Sequence, residues 1–253
     1  MKVAVCVKAV PSAVTGARLD PQTFRLDRSG DLALSEYDAH AVEEALRVRG
    51  DDGEVVVLSL GPERAGEALR KALAMGADRS VLIADAAFEG ADLLATSAAL
   101  AGALAREQAE LVLFGQQSPE GNGACLWAAV AERLRLPVVS QVAELAVEEG
   151  AVRGKRQTEL GYETLRAPLP AVVAVSDAIN EPRYPSLKGI MGAKAKPQEV
   201  LSAADVGGAR DSGTRVLALR PPPPRGERRR VENGSASDAA EAIVQFLVEK
   251  RLL

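Results

Sequence analysis

The loop Gly115-Gln116-Gln117-Ser118-Pro119-Glu120-Gly121-Asn122-Gly123 is the part of this chain best suited to hold an anion. It follows the apolar run Leu111–Phe114 and precedes a helical pattern over 123–135. Its glycines let the backbone approach a ligand closely, and amides at a helix start attract phosphate. On spacing alone, an ordinary strand-to-helix turn explains it equally well. A second stretch, Ser35-Glu36-Tyr37-Asp38, opens another helical pattern; Ser35 can cap it, with Asp38 three positions on. A third, 177–197, has no clean periodicity and carries Pro182, Pro185, Gly189, Gly192 and Pro197. Loops of that length inside compact domains are usually functional or disordered. Catalytic candidates are lacking. There is one histidine, His40, and there is no GxxxxGK[ST], no HExxH and no Ser-His-Asp candidate. His40 reads as a boundary residue at a helix start. Cys6 and Cys125 lie far apart and make no metal or redox motif. Neither a catalytic residue nor a metal site is expected.

The elements that must position these stretches alternate strand and helix over the first two-thirds. Val3–Val10, Glu54–Leu60, Ser80–Ala84 and Leu111–Phe114 are short apolar runs, consistent with buried strands. Ser35–Arg49, the stretch from Gly61-Pro62 to Met75-Gly76, 91–107 and 123–135 read as helices, with Gly76 a C-cap. Residues 24–34, centred on Gly30-Asp31, read as a hairpin or loop excursion. Apolar strands separated by helices predict an open, mostly parallel α/β sheet covered on both faces. In such sheets a ligand lies beyond the C-terminal strand ends, where the topology switches. The candidate site therefore collects Cys6–Val10, Leu60-Gly61, and Gly115 with the loop after it. Past residue 137 the pattern changes: Val138–Val147, Ala151–Gln157, Glu163–Arg166 and Ala171–Val175 read as strands without intervening helices and could extend the sheet antiparallel. Pro221–Pro224 is a stiff linker, Arg225–Arg230 is basic, and 236–250 is a last amphipathic helix with Ala239, Ile243, Phe246 and Leu247 on one stripe. The expected division is an α/β domain over 1–206 and a C-terminal arm over 207–253.

Composition narrows the class. The chain has 253 residues, 47% hydrophobic and 26% charged, ordinary for a globular protein with an ample core. Aromatics are 3%, so the core must be built from Ala, Val and Leu. A net charge of -4 and a pI near 5.3 disfavour a nucleic-acid binder, and Arg228-Arg229-Arg230 does not outweigh that balance. No apolar run approaches the ~18 residues that span a bilayer. The N-terminus, Met1–Val5, reads as a strand and not as a signal peptide. With no paired cysteines, a reducing, cytoplasmic compartment is expected.

Five stretches stand in an order and spacing that resemble one family. They are Val5-Cys6-Val7-Lys8; Ala41-Val42-Glu43-Glu44-Ala45-Leu46-Arg47; and Leu69-Arg70-Lys71 followed by Ala72-Leu73-Ala74-Met75-Gly76-Ala77-Asp78-Arg79. Next come Glu163-Thr164-Leu165-Arg166 through Leu169-Pro170-Ala171-Val172-Val173, and Asn180-Glu181-Pro182-Arg183-Tyr184 with Leu187, Ile190-Met191 and Lys194. Over nearly its whole length the chain resembles the electron transfer flavoprotein beta subunits. The resemblance implies an adenine-nucleotide alpha-hydrolase-like fold and a heterodimer whose alpha subunit holds most of the FAD. The beta subunit buries a structural AMP and contributes one wall near the flavin. Electrons come from acyl-CoA or other flavin dehydrogenases and leave to an acceptor such as an ETF-quinone oxidoreductase. The cofactor carries the redox chemistry, and the chain alone is not expected to be an enzyme.

The resemblance also assigns residues. It puts the AMP-binding segment at Gly115–Leu126, including Gln116, Gln117, Ser118, Gly121, Asn122, Gly123, Ala124 and Cys125. Here the chain departs from the family, which usually has polar Thr/Gln or Asn-Gln-Thr phosphate contacts; Ala124-Cys125-Leu126 is apolar or weakly polar. Backbone donors survive such a change, and Asn122 stands as the replacement side-chain donor. Ser35, Glu36, Tyr37 and Asp38 fall where the family lines the adenosine pocket with Asn-Pro-Tyr-Asp. Cys6 and Leu60 match adenine-contacting strand ends, with Cys6 itself a small buried hydrophobe. Lys8 also matches, although a strand-end lysine is commonly just solvated. Arg153, Lys155, Arg156, Glu159, Gly161 and Glu163 fall in a signature segment placed near the alpha subunit and flavin; a plain charged hairpin explains them as well. The 177–197 stretch becomes a recognition loop for dehydrogenases. Leu187 is its anchor, Tyr184, Ile190 and Met191 lie beside it, and Arg183, Lys188, Lys194 and Lys196 supply rim charge. The C-terminal arm would wrap the alpha subunit. Two rival readings remain: a bifurcating version with FAD in place of AMP, left open by Gly121-Asn122-Gly123-Ala124, and an adenine-nucleotide-binding enzyme or sensor of related fold.

Overall fold

Valine dominates the runs that become the central strands, because a β-branched side chain suits a pleated surface buried on both faces. The computed structural model describes residues 1–12, 18–219 and 234–253. Its elements run β1 (Lys2–Cys6), β2 (Ala9–Pro11), β3 (Leu32–Leu34), α1 (Glu36–Val48), β4 (Glu54–Leu60), α2 (Gly66–Met75), β5 (Arg79–Ile83), α3 (Leu93–Glu107) and β6 (Leu111–Gly115). There follow α4 (Leu126–Leu134), β7 (Val138–Glu148), β8 (Ala151–Thr158), β9 (Gly161–Pro168), β10 (Ala171–Val175), α5 (Leu187–Ala193), β11 (Gln198–Leu201) and α6 (Ala236–Glu249). The main sheet has the order β11-β5-β4-β1-β6-β10-β7-β8-β9, while β2 and β3 pair separately. Strands β11 through β7 run parallel, and β8 and β9 add antiparallel. This is the α/β architecture expected, an open and mostly parallel sheet with an antiparallel extension.

Alternation along the strands builds two cores. Val3 and Val5 of β1 pack with Val55, Val57, Ala41 and Leu69 on the face of α1 and α2. Ala4 and Cys6 pack with Val56, Leu58, Leu100 and Val130 on the face of α3 and α4. From β1 the chain moves outward to β4 and β5, then returns to β6 on β1's other side. The topology thus switches between β1 and β6, where a crevice opens above the strand ends.

Several sequence expectations need correction. The run Val3–Val10 is not one strand: β1 ends at Cys6, and β2 turns away to pair with β3. The turn in the following excursion is not at Gly30-Asp31. It closes at Pro21–Thr23, because the Asp20 carboxylate accepts the Gln22 and Thr23 amides. Strand β10 does not extend the sheet antiparallel; it inserts parallel between β6 and β7. Its five residues, Ala-Val-Val-Ala-Val, are all buried, as a central strand requires. Residues 123–125 are not helical, because Asn122 and Ala124 take φ of 44° and α4 begins at Leu126. Ser35 does occupy the N-cap of α1, but its side chain makes no cap hydrogen bond. The 177–197 stretch is no structureless loop, since it contains α5. Gly76 caps α2 at φ 139°, as expected.

The chain divides into two compact units, Met1–Val216 and Leu217–Leu253. The first unit runs past 206 because Asp92 holds its tail: the Asp92 carboxylate accepts the amides of Gly213 (2.8 Å) and Thr214 (3.2 Å). The second unit carries α6, opened by a capping box between Ser235 and Asp238, with Ile243, Val244 and Phe246 exposed. The proline linker Pro221–Pro224 and the basic stretch Arg225–Arg230 lie outside the described residues.

A charge network fastens the N-terminal strand ends. Arg79, opening β5, grips the Glu107 carboxylate at the end of α3 and donates to Glu54 of β4 at 2.7 Å. Lys2 of β1 reaches the same Glu107 carboxylate at 2.9 Å. Burial opposes the Glu107 charge, but Arg79 and Lys2 outweigh it and hold the carboxyl below its usual value of 4.5. A depressed native value means its contribution is complete above the unfolded value and fades as pH falls through the native one. Glu107→Gln should therefore cost about 1.5–3 kcal/mol in urea unfolding at pH 7. The gap to wild type should narrow as pH falls below 4.5.

Candidate functional site

The end of β1 is tied to the start of α1 through one buried carboxylate. The Asp38 carboxylate, in the first turn of α1, accepts the Lys8 amide at 2.7 Å, and Ser35 donates its own amide to the Lys8 carbonyl at 3.1 Å. Gly115, at the end of β6, meets this corner. A Cβ there would come within 2.5 Å of the Tyr37 backbone and 2.6 Å of the Asp38 carboxylate, so only glycine lets β6 approach so closely. Above the corner lies a cleft of about 450 Å³ at the C-terminal ends of β1 and β6.

The cleft has an apolar side and a polar side. Cys6, Leu60, Phe114 and Leu126 line the first. Burial pushes the Cys6 thiol well above its usual range, so it is a packed neutral group. On the polar side the segment Gly115–Ser118 leads into the loop of Gly121, Gly123 and Ala124. No side chain caps α4, and the amides of Gly123 to Leu126 donate to no acceptor among the described residues. Such amides suit an oxyanion. Lys8 reaches the same loop, with Nζ 3.1 Å from Ser118 Oγ and 2.7 Å from Glu120 Oε1; Arg28 Nη2 approaches the same oxygen at 2.8 Å. Burial opposes the Glu120 charge, but Arg28 and Lys8 prevail and lower its pKa to about 2. For Asp38 burial prevails over the Lys8 and Gly115 amides, and its pKa is pushed up to about 7.

Of the residues expected around a nucleotide, Cys6, Asp38, Leu60, Gly115, Gln116, Gln117, Ser118, Gly121, Gly123, Ala124, Cys125 and Leu126 line this cleft. Ser35, Glu36, Tyr37 and Asn122 do not. Ser35 is fully buried and Glu36 points to solvent. Tyr37 lies behind the wall, where its hydroxyl accepts from Gln117 Nε2 at 3.2 Å. Asn122 is exposed on the rim. Sequence reasoning missed Arg28 and Trp127, whose Nε1 donates to the Gln116 carbonyl at 3.1 Å. It also left Lys8 as a solvated lysine. The signal for Lys8 and Arg28 is long-range, an ion pair with Glu120 across 92 residues or more.

A second group of candidates gathers on α5. Ser186 caps this helix by accepting the Gly189 amide at 3.0 Å. Leu187 is 75% exposed, Met191 70%, Tyr184 95% and Ile190 53%. The rim charges are unequal. Lys188 and Lys194 are exposed. Lys196 instead donates to the carbonyls of Leu73 (2.9 Å) and Ala77 (2.5 Å) at the end of α2, and burial lowers its pKa. Arg183 is paired with Glu43. On the β7–β9 ribbon the charges neutralise one another: Arg153 and Arg166 with Glu148, Lys155 with Glu144, Arg156 with Glu163. At its tip Leu160 is wholly exposed and Tyr162 lies under Lys155.

Comparison with known proteins converges. Residues 23–206 match the electron transfer flavoprotein domain family. The chain is 41% identical over 265 residues, covering 99% of both chains, to the electron transfer flavoprotein subunit beta of Mycobacterium tuberculosis. It is 35% identical over 263 residues, covering 100% of both, to the caffeyl-CoA reductase-Etf complex subunit CarD of Acetobacterium woodii. It is also 31% identical over 271 residues to the electron transfer flavoprotein subunit beta of Megasphaera elsdenii. Among the described residues no helix is long and apolar enough to cross a membrane. With the sheet, the crevice and these full-length matches in agreement, the chain belongs to the family of electron transfer flavoprotein beta subunits.

Proposed function

We propose that this chain works as a carrier subunit with three tasks: it holds AMP in the cleft between β1 and β6, helps an alpha subunit enclose FAD, and docks partner dehydrogenases through α5. The observation that carries the first task is the run of amides from Gly123 to Leu126, unpaired among the described residues, in the same cleft wall as the ammonium of Lys8. Together they fit a phosphate. The apolar wall of Cys6, Leu60 and Phe114 fits a base, and about 450 Å³ is a normal size for a small-molecule site. FAD, where bound, supplies the redox chemistry. The chain's own residues bind, orient and exclude water. For docking, Leu187, Ile190 and Met191 form an apolar centre, and Lys188 and Lys194 give a positive rim that speeds encounter with an acidic partner. Such a contact is small, as a transient redox encounter should be.

A second reading, FAD in this cleft in place of AMP, is favoured by one specific observation. A larger cleft of about 1030 Å³ adjoins the first and shares Arg28, Leu60, Ala91, Asp92 and Thr96 with it, leaving room for a ligand longer than a mononucleotide.

Denaturing the purified chain and identifying the released nucleotide by mass spectrometry separates these readings. From the chain, AMP supports the first and FAD the second; no nucleotide from the chain alone, together with a heterodimer that releases no AMP and no more than one FAD, rejects both. Lys8→Ala should weaken retention of the nucleotide by about tenfold or more, through loss of a charge-assisted contact. Docking is tested with the flavin-loaded heterodimer. Leu187→Ala should raise KM for the reduced dehydrogenase by roughly thirtyfold, the loss of a ~2 kcal/mol anchor, and leave flavin content intact. Unchanged kinetics would reject that role.

A further inference from the structure

Helix α5 is seven residues long and contains two glycines, so its placement cannot come from its own helical stability. Nor does it come from backbone pairing. From Asn180 to Pro185 the backbone makes no hydrogen bond to another backbone group among the described residues. What holds this approach is a set of side-chain contacts to α1. Asn180 Nδ2 donates to the His40 carbonyl at 3.1 Å and to Glu44 Oε2 at 3.0 Å. Arg183 donates to the Glu43 carboxylate three times, through its amide (3.1 Å), Nε (2.7 Å) and Nη2 (3.0 Å). The Glu43 side chain is 5% exposed, so its charge needs fixed partners; Arg47 of α1 supplies one at 3.1 Å, and Arg183 is the one that ties α1 to the segment before α5. The far end of the segment is anchored separately on α2, by Lys196 and by Gly189, whose Cβ would come within 2.4 Å of the Ala74 carbonyl.

We infer that Glu43 and Arg183 form a positioning pair for partner docking: Glu43, from inside the domain, fixes Arg183, and Arg183 sets where the chain enters α5. Arg183 is thus more than a rim charge for the dehydrogenase: its side chain is 49% exposed, but its amide, Nε and Nη2 are all committed to one carboxylate. The function of the pair is to order the segment before the partner arrives. A contact as small as a transient redox encounter has little surplus to spend on ordering a loop. The inference rests on the reading of α5 as the docking surface.

The test uses the flavin-loaded heterodimer, reduced by an acyl-CoA dehydrogenase with its acyl-CoA substrate. Four variants are compared: Glu43→Gln, Arg183→Gln, the double variant, and Leu187→Ala. Each member of the pair, when substituted alone, should raise KM for the dehydrogenase on the order of tenfold. In both, kcat and flavin content should stay at the wild-type level, and the double variant should be no worse than the singles, as expected for one shared interaction. If Arg183→Gln raises KM while Glu43→Gln does not, Arg183 is a contact charge and the inference fails. It fails equally if neither single variant moves KM while Leu187→Ala does. If Leu187→Ala has no effect, the docking reading falls. The positioning claim is then judged by hydrogen exchange of residues 184–196: lost protection in Glu43→Gln upholds it, and unchanged protection overturns it.

Discussion

Asp38 is buried, 6% exposed at the base of the cleft, and its carboxylate accepts the amide of Lys8. With the Ser35 amide on the Lys8 carbonyl, it pins the chain leaving β1 to the start of α1. Much else follows from that joint. It lies at the base of the cleft between β1 and β6, and it explains a glycine at 115, where any side chain would collide with the joint. It fixes the backbone from which Lys8 reaches Ser118 and Glu120 in the loop beyond β6. It also sets α1 in place, and the next two turns of α1 present His40, Glu43 and Glu44 to the segment that leads into α5. One helix therefore serves two sites on the same unit, one by its first turn and one by its flank.

Charge is used in two ways across the first unit. Lys2, Arg79, Arg183 and Lys196 are held by carboxylates or carbonyls and fix geometry. Lys188 and Lys194 are exposed and available for long-range attraction. Such a separation suits a surface that makes brief contacts. Fixed charges keep it preformed, which limits the entropy lost on association, while free charges raise the encounter rate without adding a tight contact.

Much of the architecture was legible because it depends on local pattern. The apolar strands and the Gly76 cap follow from residues near one another in sequence, and the candidate cleft from the rule that open α/β sheets bind beyond their C-terminal strand ends, although which two strands flank the switch was not legible. What was hidden depends on distance. Ser35 and Asp38 form a capping pattern, yet Asp38 turns to Lys8, thirty residues back. Arg28 and Lys8 look like solvated cations until Glu120 arrives from the loop beyond β6. Helix α5 is too short, and too rich in glycine, to show a period; its cap and its contacts with α2 make it helical. The direction of β10 was also hidden, since nothing in Ala-Val-Val-Ala-Val says which neighbours it will take.

The insertion of β10 between β6 and β7 has a consequence for how the chain comes to be folded. Its partner β6 is complete at residue 115, but β10 ends at 175, after the whole β7–β9 ribbon. During synthesis the apolar edge of β6 therefore waits, unpaired, for some sixty residues of chain that lie between. Local pairing of β8 with β9 can form early, whereas closure of the central sheet is a late, long-range event. An unpaired apolar strand edge is a template for association with other chains. The vulnerable species of this protein is thus the nascent chain that has made its ribbon but not yet received its last central strand.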